Sequence, residues 1–297
     1  MSHIVVSGIS IKTCITIKVL MVDQGFGGRV DGKVILITGA TTGLGRQVAR
    51  DLAGRGATLL LHGRDPERLG RVAEELGAET TARTYRADLA DLEQVRGLAD
   101  RIRQVEPRLD VLVNNAAVGG GSDPTRREIG RQGHELRLTV NHLAPHLLTW
   151  ELAPLLAASG AARVVNVASK GQAPVDFDDL MLSRHYDGVQ AYCRAKLAMI
   201  MSSFDLAVEL GGHGITVNAL HPAHLMDTPM VRTSGLAPAA SVHDGALPTL
   251  RLIIDSALGQ VTGRYFDRFD EARAHEQAYD APARARLRAA TRELIDQ

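Results

Sequence analysis

Cysteine is scarce in this sequence. Its 297 residues include two cysteines, Cys14 and Cys193. A small fold held together by disulfides needs several paired cysteines, so this count argues against one. We expect a reducing, cytoplasmic location.

Aromatic residues and excess charge are also scarce. Phe, Trp and Tyr make up 4% of the chain, which argues against the aromatic platforms that stack single-stranded nucleic acids. Lys+Arg and Asp+Glu both number 34, so the formal net charge is zero. Because binding by bulk charge needs a basic surface, we expect no nucleic-acid partner.

The N-terminal extension, residues 1–29, lacks the features of a membrane or secretion segment. Within it, residues 9–21 alternate apolar and other side chains, which predicts a strand. Lys12 and Lys18 interrupt this stretch and no cleavage site follows, so we predict neither a spanning helix nor a signal peptide. The extension is either sequence upstream of a true start at Met21, a disordered tail, or an added strand or oligomer-binding arm.

From Val30 onward, short apolar runs alternate with helical patterns. The predicted strands are rich in Val, Ile and Leu without alternation, as in parallel sheets covered on both faces. Helices are predicted between them, including residues 92–105 and long helices at about 130–158 and 189–211. Repeated strand–helix units predict an α/β, doubly wound Rossmann fold with a central parallel sheet flanked by helices, in one domain over residues 30–297.

A glycine-rich turn follows the first of these strands. The stretch TGATTGLG, residues 38–45, lies between the run KVILI and a helical pattern. Missing side chains at such a turn let backbone N–H groups reach a pyrophosphate, and the following helix directs its positive end there. The spacing differs from the common G-x-G-x-x-G, but the position predicts a nucleotide site.

The end of the second strand indicates which nucleotide. It reads LLLHGRD, with Gly63 and Arg64 where an NAD site favours a carboxylate for the ribose hydroxyl. A guanidinium suits a 2′-phosphate. We therefore predict NADP(H), with NAD(H) as the less favoured cofactor. The alternative is that Arg64 is a solvated loop charge and Asp65 caps the next helix.

Five elements in order resemble the short-chain dehydrogenase/reductase family. They are the T-G-x-x-x-G-x-G turn, NNAA at 114–117, an asparagine in TVNHLAPHLLT, a serine in NVAS and YCRAK at 192–196. The stretches VNHLAPHLLT and AYCRAKLAMI are most similar to the retinol-dehydrogenase-like branch. The resemblance covers about residues 32–266.

The resemblance implies a catalytic set and a set of cofactor contacts. The catalytic residues implied are Asn141, Ser169, Tyr192 and Lys196. The cofactor contacts implied are Gly39, Thr41, Thr42, Gly43, Leu44, Gly45, Arg64, Asp88, Leu89, Asn115, Ala116, Ala117, Tyr192, Lys196, Pro222 and Leu225.

The sequence departs from the family pattern near the nicotinamide end. Ala117 replaces the glycine of N-N-A-G, and Pro222-Ala223 replaces Pro-Gly. The expected threonine position holds Asp227, with Thr228 next. Ser169 and Tyr192 lie 23 positions apart, which is longer than is usual in the family but similar to the retinol-dehydrogenase-like branch.

The catalytic set suits transfer of a hydride and a proton. A phenol titrates near pH 10, and an ammonium one helical turn away, as Lys196 is from Tyr192, favours the phenolate. Ser169 would orient the substrate oxygen, and Asn141 would hold a water that links Lys196 to solvent. His142 and His146 have half of a metal-site spacing but no third ligand, so we expect packing rather than metal.

Two loops are expected to line the substrate site, loop 170–190 and loop 223–245. The second contains Met226, Met230 and Val231 and is typical of a mobile lid over an apolar ligand. We expect a carbonyl–alcohol oxidoreductase acting on a hydrophobic small molecule. The alternatives are a non-redox cyclase, dehydratase or epimerase on the same scaffold, and a non-catalytic NADP(H) sensor. The resemblance suggests a homodimer or homotetramer through the two long helices.

Overall fold

The alternating apolar runs form strands of one sheet in the computed structural model, which describes residues 30–296. The strands are β1 Val34–Ile37, β2 Thr58–Gly63, β3 Thr81–Arg86, β4 Val111–Asn114, β5 Ala162–Val167, β6 Ile215–His221, β7 Tyr265–Asp267 and β8 Asp270–Glu271. Their order is β3-β2-β1-β4-β5-β6-β7-β8, and β8 alone among these strands pairs antiparallel. The predicted doubly wound Rossmann fold is confirmed.

Helices cover both faces of this sheet. They are α1 Gly43–Leu52, α2 Pro66–Glu75, α3 Leu92–Val105, α4 Leu136–Leu138, α5 Ala144–Glu151, α6 Ala153–Ala158, α7 Gly188–Gly211, α8 Pro229–Thr233, α9 Val242–Ile254 and α10 Ala281–Asp296. Several begin at side chains that accept bonds from free N–H groups, such as Asp65 at α2 and Asp187 at α7. One core packs β1 and β2 against α1 and α9, and another packs the opposite face against α3 and α5.

The strand order reverses next to β1, which pairs with β2 on one side and β4 on the other. In open parallel sheets, ligands bind beyond the carboxyl ends of the strands at such a point. The glycine turn follows β1 directly, so the fold places it at this crevice.

The helix predicted at about 130–158 is shorter and interrupted. It begins at Leu136, because Gly133 has a positive φ of 84° and the Glu135 side chain caps the helix by accepting from the Leu138 N–H. A π-helical turn, Thr139–Leu143, joins α4 to α5, and α6 starts anew after Leu152.

Helix α10 is the last element of the described chain. It packs on α7 through Arg284 and Arg288, which both pair with Asp205 at 2.8 Å. Thr291 Oγ1 and His142 Nε2 lie 2.7 Å apart inside the contact. The protein's own C-terminal segment therefore covers part of the two long helices.

Two predictions fall partly or wholly outside this description. The N-terminal extension, residues 1–29, lies outside the described residues, so its predicted strand is untested. Among residues 30–296, no helix combines the length and apolar composition that crossing a membrane requires.

Candidate active site

The three glycines of the turn are packed too closely for side chains. Gly39 has a φ of 66°, and a Cβ there would lie 2.9 Å from the Cα of Ala116. A Cβ on Gly45 would overlap the Gly39 carbonyl and lie 2.5 Å from Asn115 Nδ2. The turn is therefore pressed against the residues that follow β4, and its glycines are needed for this close approach.

The N-terminus of α1 is open to an anion. Thr42, its N-cap, makes no side-chain cap bond, and the first turn holds no acidic side chain. The first N–H groups of a helix need partners, and a phosphate satisfies them well. The turn thus fits a pyrophosphate, with Thr41, Leu44 and the three glycines around it as the predicted contacts.

The adenosine end lies at the tips of β2 and β3. A Cβ on Gly63 would lie 2.6 Å from Thr41 Cγ2, so a larger residue here would have to displace the Thr41 side chain. Arg64 is exposed, and within residues 30–296 it forms no hydrogen bond or ion pair. Asp65 does cap α2, accepting from Glu67 and Arg68, and is not available to a ribose.

Asp88 and Leu89 follow β3 beside this position. The Asp88 carboxylate accepts from the Ala90 N–H at 3.1 Å, and Leu89 is buried.

His62, which we did not predict from the sequence, links the glycine turn to the end of β3. Its Nδ1 accepts from the Gly39 N–H at 3.3 Å and its Nε2 lies 3.1 Å from the Ala87 carbonyl. Burial lowers the pKa of His62 to about 4, so the ring is neutral at physiological pH.

The NNAA stretch supports the turn from β4. Asn115 Nδ2 donates to the Thr38 carbonyl at 2.8 Å, and the Ala116 N–H donates to Thr38 Oγ1 at 3.0 Å. Asn114 instead points into the core, where it donates to Asn166 and Thr149. Ala117 follows at the half-buried edge of the crevice.

Ser169, Tyr192 and Lys196 meet beyond the carboxyl end of β5. Ser169 Oγ accepts from the Gly171 N–H at 3.0 Å. Ser169 Oγ and the Tyr192 ring both lie beside Gly171, so the two side chains are neighbours. Lys196 Nζ donates to the Val167 carbonyl at 2.7 Å and lies 5.8 Å from the centre of the Tyr192 ring.

Burial dominates the titration of this set. It raises the pKa of Tyr192, opposed by the hydrogen bond from Ser169. It lowers the pKa of Lys196 to about 7. From the sequence we expected the Lys196 ammonium to lower the pKa of the Tyr192 phenol. In this structure the desolvation of Tyr192 is the larger effect and has the opposite sign.

Asn141 lies in the π-helical turn and faces the residue after NNAA. Its Oδ1 accepts from the Val118 N–H at 2.8 Å, and its Nδ2 donates to the Val118 carbonyl at 2.9 Å. Pro145 has no N–H, so the Asn141 carbonyl, four residues earlier, lacks its usual helical donor. The side chain of Asn141 therefore ties the π-helical turn to the segment after NNAA.

Ser169 and the neighbouring Lys170 have partners that we did not predict from the sequence. The Ser169 carbonyl accepts from Tyr265 Oη at 3.1 Å and from Gln172 Nε2 at 3.0 Å. Lys170 pairs with Asp267 at 3.0 Å. Tyr265 and Asp267 belong to the three-residue strand β7, too short to carry a recognisable pattern.

Loop 223–245 lies over the crevice. Asp227 points outward and pairs with Arg232 at 2.7 Å, whereas Thr228 Cγ2 would be 3.1 Å from a Cβ on Gly43. Thr228, the residue after the expected threonine position, thus lies beside the glycine turn. Pro222 is buried, and Leu225 has a φ of 43° that bends the chain at the start of loop 223–245.

A cavity of about 440 Å³ lies beside loop 170–190. It is lined by Asp179, Leu182 and Arg194, among others, and not by Ser169, Tyr192 or Lys196.

His142 and His146 are buried packing residues. His146 Nδ1 lies 2.7 Å from Ser202 Oγ, and His142 pairs with Thr291. Burial lowers the pKa of His142 to about 3 and that of His146 to about 4, so both rings are neutral.

Comparison with known proteins agrees with this geometry. The family model for short chain dehydrogenases matches residues 33–238. Human retinol dehydrogenase 13 is 34% identical over 90% of this chain and 85% of its own length. Among solved structures, a short chain dehydrogenase from Escherichia coli in complex with NADPH is 30% identical, with a TM-score of 0.67, over 81% of this chain and 98% of that one. An NAD(P)-dependent gluconate 5-dehydrogenase from Beutenbergia cavernae with bound NADP is 29% identical, with a TM-score of 0.64, over 82% of this chain and 96% of that one.

The matched region contains the glycine turn, the NNAA stretch, the serine and the Tyr–Lys pair. A nicotinamide cofactor and a small-molecule substrate follow from that match. The chain belongs to the short-chain dehydrogenase/reductase family, in its retinol-dehydrogenase-like branch, and is an NAD(P)-dependent oxidoreductase of alcohols and carbonyls.

Proposed function

We propose that this protein is an NADP(H)-dependent oxidoreductase that interconverts a carbonyl and an alcohol on a hydrophobic small molecule. The observation that carries the proposal is the meeting of Ser169, Tyr192 and Lys196 beside an open glycine turn. When bound, NADP(H) supplies or accepts the hydride. The protein's residues supply orientation and the proton.

Ser169 and Tyr192 act on the substrate oxygen. With its Oγ accepting from the Gly171 N–H, Ser169 has one proton to donate and so orients the oxygen. Tyr192 is protonated at neutral pH because burial raises its pKa. In the reductive direction it therefore stands ready as the proton donor.

Lys196 and Asn141 return a proton to Tyr192 after it has donated one to the substrate oxygen. A lysine whose pKa is about 7 can hold or release a proton at physiological pH. The Asn141 carbonyl, which lacks its helical donor because of Pro145, can accept from a water. We propose that this water connects Lys196 to solvent and allows Tyr192 to be reprotonated between turnovers.

Two features support NADP(H) over NAD(H). Arg64 is exposed and unpaired within residues 30–296, while Asp65 is occupied by its cap bonds. A free guanidinium at the adenosine end suits a 2′-phosphate. The similar Escherichia coli protein is described in complex with NADPH.

The hydrophobic substrate is supported by the lid and by the relatives. Met230 of loop 223–245 lies directly on Gly119, where a Cβ would be 2.7 Å from its Cγ. Val189 lies on Gly120 in the same way, at 3.0 Å. We propose that these apolar side chains border the substrate space. The curated relative is named a retinol dehydrogenase, and we propose an apolar ketone, aldehyde or alcohol for this chain.

The homodimer or homotetramer and the cytoplasmic location stay predictions. Helix α10 covers part of the long helices expected to form the subunit contact, so that contact would have to use the remaining face. Light scattering coupled to size exclusion measures the assembly directly.

The test is NADPH oxidation with a panel of hydrophobic ketones, aldehydes and quinones, with NADH alongside. Tyr192→Phe should reduce kcat by about 10²–10⁴-fold while NADPH still binds. Tyr85→Phe, a buried tyrosine on β3 away from the site, is the matched control and should keep wild-type rates.

The outcome separates the alternatives. NADPH binding without net oxidation on any substrate would favour the non-redox chemistries. Equal rates for Tyr192→Phe and wild type would remove the tyrosine from the mechanism.

A further inference from the structure

A buried ion cluster lies at the start of the helix that carries Asn141. Arg137 on α4 is 1% exposed, and each of its three guanidinium nitrogens donates a hydrogen bond. Its Nε donates to the Gly119 carbonyl at 3.0 Å, its Nη1 to Tyr186 Oη at 2.9 Å and its Nη2 to Glu128 at 3.0 Å. A buried cation persists only where its donors have partners, and here each nitrogen has one.

Tyr186 and Glu135 complete the cluster. Tyr186 Oη donates to Glu135 Oε1 at 2.9 Å while it accepts from Arg137. Glu135 is 1% exposed, and its other oxygen accepts from the Leu138 N–H at the start of α4. Burial and the Glu135 carboxylate raise the pKa of Tyr186, so its hydroxyl stays protonated and keeps donating.

The cluster joins three separate parts of the chain. Gly119 follows the NNAA stretch, Tyr186 belongs to loop 170–190, and Arg137 lies one helical turn before Asn141. The side chains of Asn141 and Arg137 hydrogen-bond to the backbone of two adjacent residues. Asn141 bonds to Val118, and Arg137 bonds to Gly119.

In the proposed function, the segment held in this way is a wall of the substrate space. Met230 of loop 223–245 packs on Gly119, and Val189 at the start of α7 packs on Gly120. Any shift of residues 118–120 would therefore move both apolar contacts. The cluster itself makes no hydrogen bond to Ser169, Tyr192 or Lys196.

We propose that Arg137 and Tyr186 form a buried clamp that fixes residues 118–120 to loop 170–190 and so sets the size of the substrate that fits. Both are positioning residues rather than catalytic ones. The substrate part of the inference rests on the proposed function, whereas the clamp can be tested without any turnover.

Tyr186→Phe is the informative change, because it removes only the hydroxyl and lets Arg137 and Glu135, 3.6 Å apart, pair directly. Arg137 variants would leave a buried carboxylate and endanger folding. Tyr85→Phe is the matched control, since Tyr85 also lies near a carboxylate, 3.5 Å from Glu106, beside an arginine.

Two measurements are made on the full-length protein. Hydrogen–deuterium exchange by mass spectrometry should show faster exchange in peptides covering residues 118–128 and 176–187 for Tyr186→Phe only. Steady-state kinetics should show a raised KM for bulky ketones, because Tyr186→Phe removes both hydrogen bonds of the hydroxyl and residues 118–120 are no longer held in one position. The KM for NADPH and kcat for a small ketone should stay unchanged.

Unchanged exchange in both peptides would overturn the clamp. Faster exchange with an equal fall in kcat for every substrate would overturn the selectivity role, since the defect would then lie in catalysis. If the wild-type protein reduces no carbonyl, the proposed function fails, and the exchange data still decide whether the clamp exists.

Discussion

Arg64 offers the sharpest test of cofactor choice. The change is Arg64→Gln, which removes the charge and keeps a polar side chain. Arg64 is exposed and forms no bond within residues 30–296, so no other part of the described structure depends on it. A change in nucleotide affinity can then be attributed to the nucleotide contact rather than to folding.

The magnitude follows from the kind of contact. A hydrogen bond to a charged group contributes about 1.5–3 kcal/mol, and solvent exposure favours the lower end of that range. At about 1.4 kcal/mol for each factor of ten, NADPH affinity should fall about tenfold or slightly more. NADH, which lacks the 2′-phosphate, should bind as before.

The assay is a fluorescence titration of NADPH and NADH at low ionic strength, repeated at high salt, where screening should shrink the difference. Arg68→Gln is the matched control, because Arg68 is an exposed arginine one turn further on that pairs with Asp65. If Arg64→Gln leaves NADPH binding unchanged, or weakens both nucleotides equally, Arg64 does not read the 2′-phosphate.

Three further changes test the site and its support. Lys196→Met should abolish turnover yet raise Tm, and by more at pH 6 than at pH 9 in differential scanning fluorimetry. Burial lowers the pKa of Lys196 to about 7 from 10.5, so the penalty for a buried ammonium is complete below pH 7 and is relieved as the pH rises toward 10.5. Gly45→Ala should weaken NADPH binding at least about tenfold in the same titration, because the added methyl meets Gly39 and the overpacking costs about 1–3 kcal/mol. Thr291→Val should lower the urea midpoint by an amount equivalent to about 1–3 kcal/mol without changing kcat. It removes the Nε2 partner of buried His142, whose Nδ1 also has no partner among residues 30–296. An unchanged midpoint would show that this bond does not contribute to stability.

Features with strong local signals were predictable from the sequence. The helix predicted at residues 92–105 is α3, with the same bounds, because Asp91 caps it and a continuous apolar stripe packs on the sheet. The glycine turn lies where a strand meets a helix, and its spacing is characteristic. Both depend on a few neighbouring residues, so the sequence contains what determines them.

Features set by distant contacts were not predictable. Helix α9 has a capping box at Ser241 and Asp244, but Gly245 and Pro248 inside it weaken the helical pattern, and the helix packs on α1. Tyr265 reaches the Ser169 carbonyl from 96 positions away. The predicted helix at 130–158 was wrong at its start because the backbone around Gly133 turns before Glu135 caps α4.

Asn141 shows why a motif can indicate the right position without indicating the role. The family asparagine was expected to hold a water, and both polar atoms of its side chain bond to Val118. In the proposed relay the water therefore binds the backbone carbonyl of Asn141, to which Pro145 has no N–H to donate. The residue type explains the hold on Val118, and Pro145 explains the missing bond from four residues later. Asn141→Ala would therefore disturb the wall of the substrate space first and the proposed relay only through it.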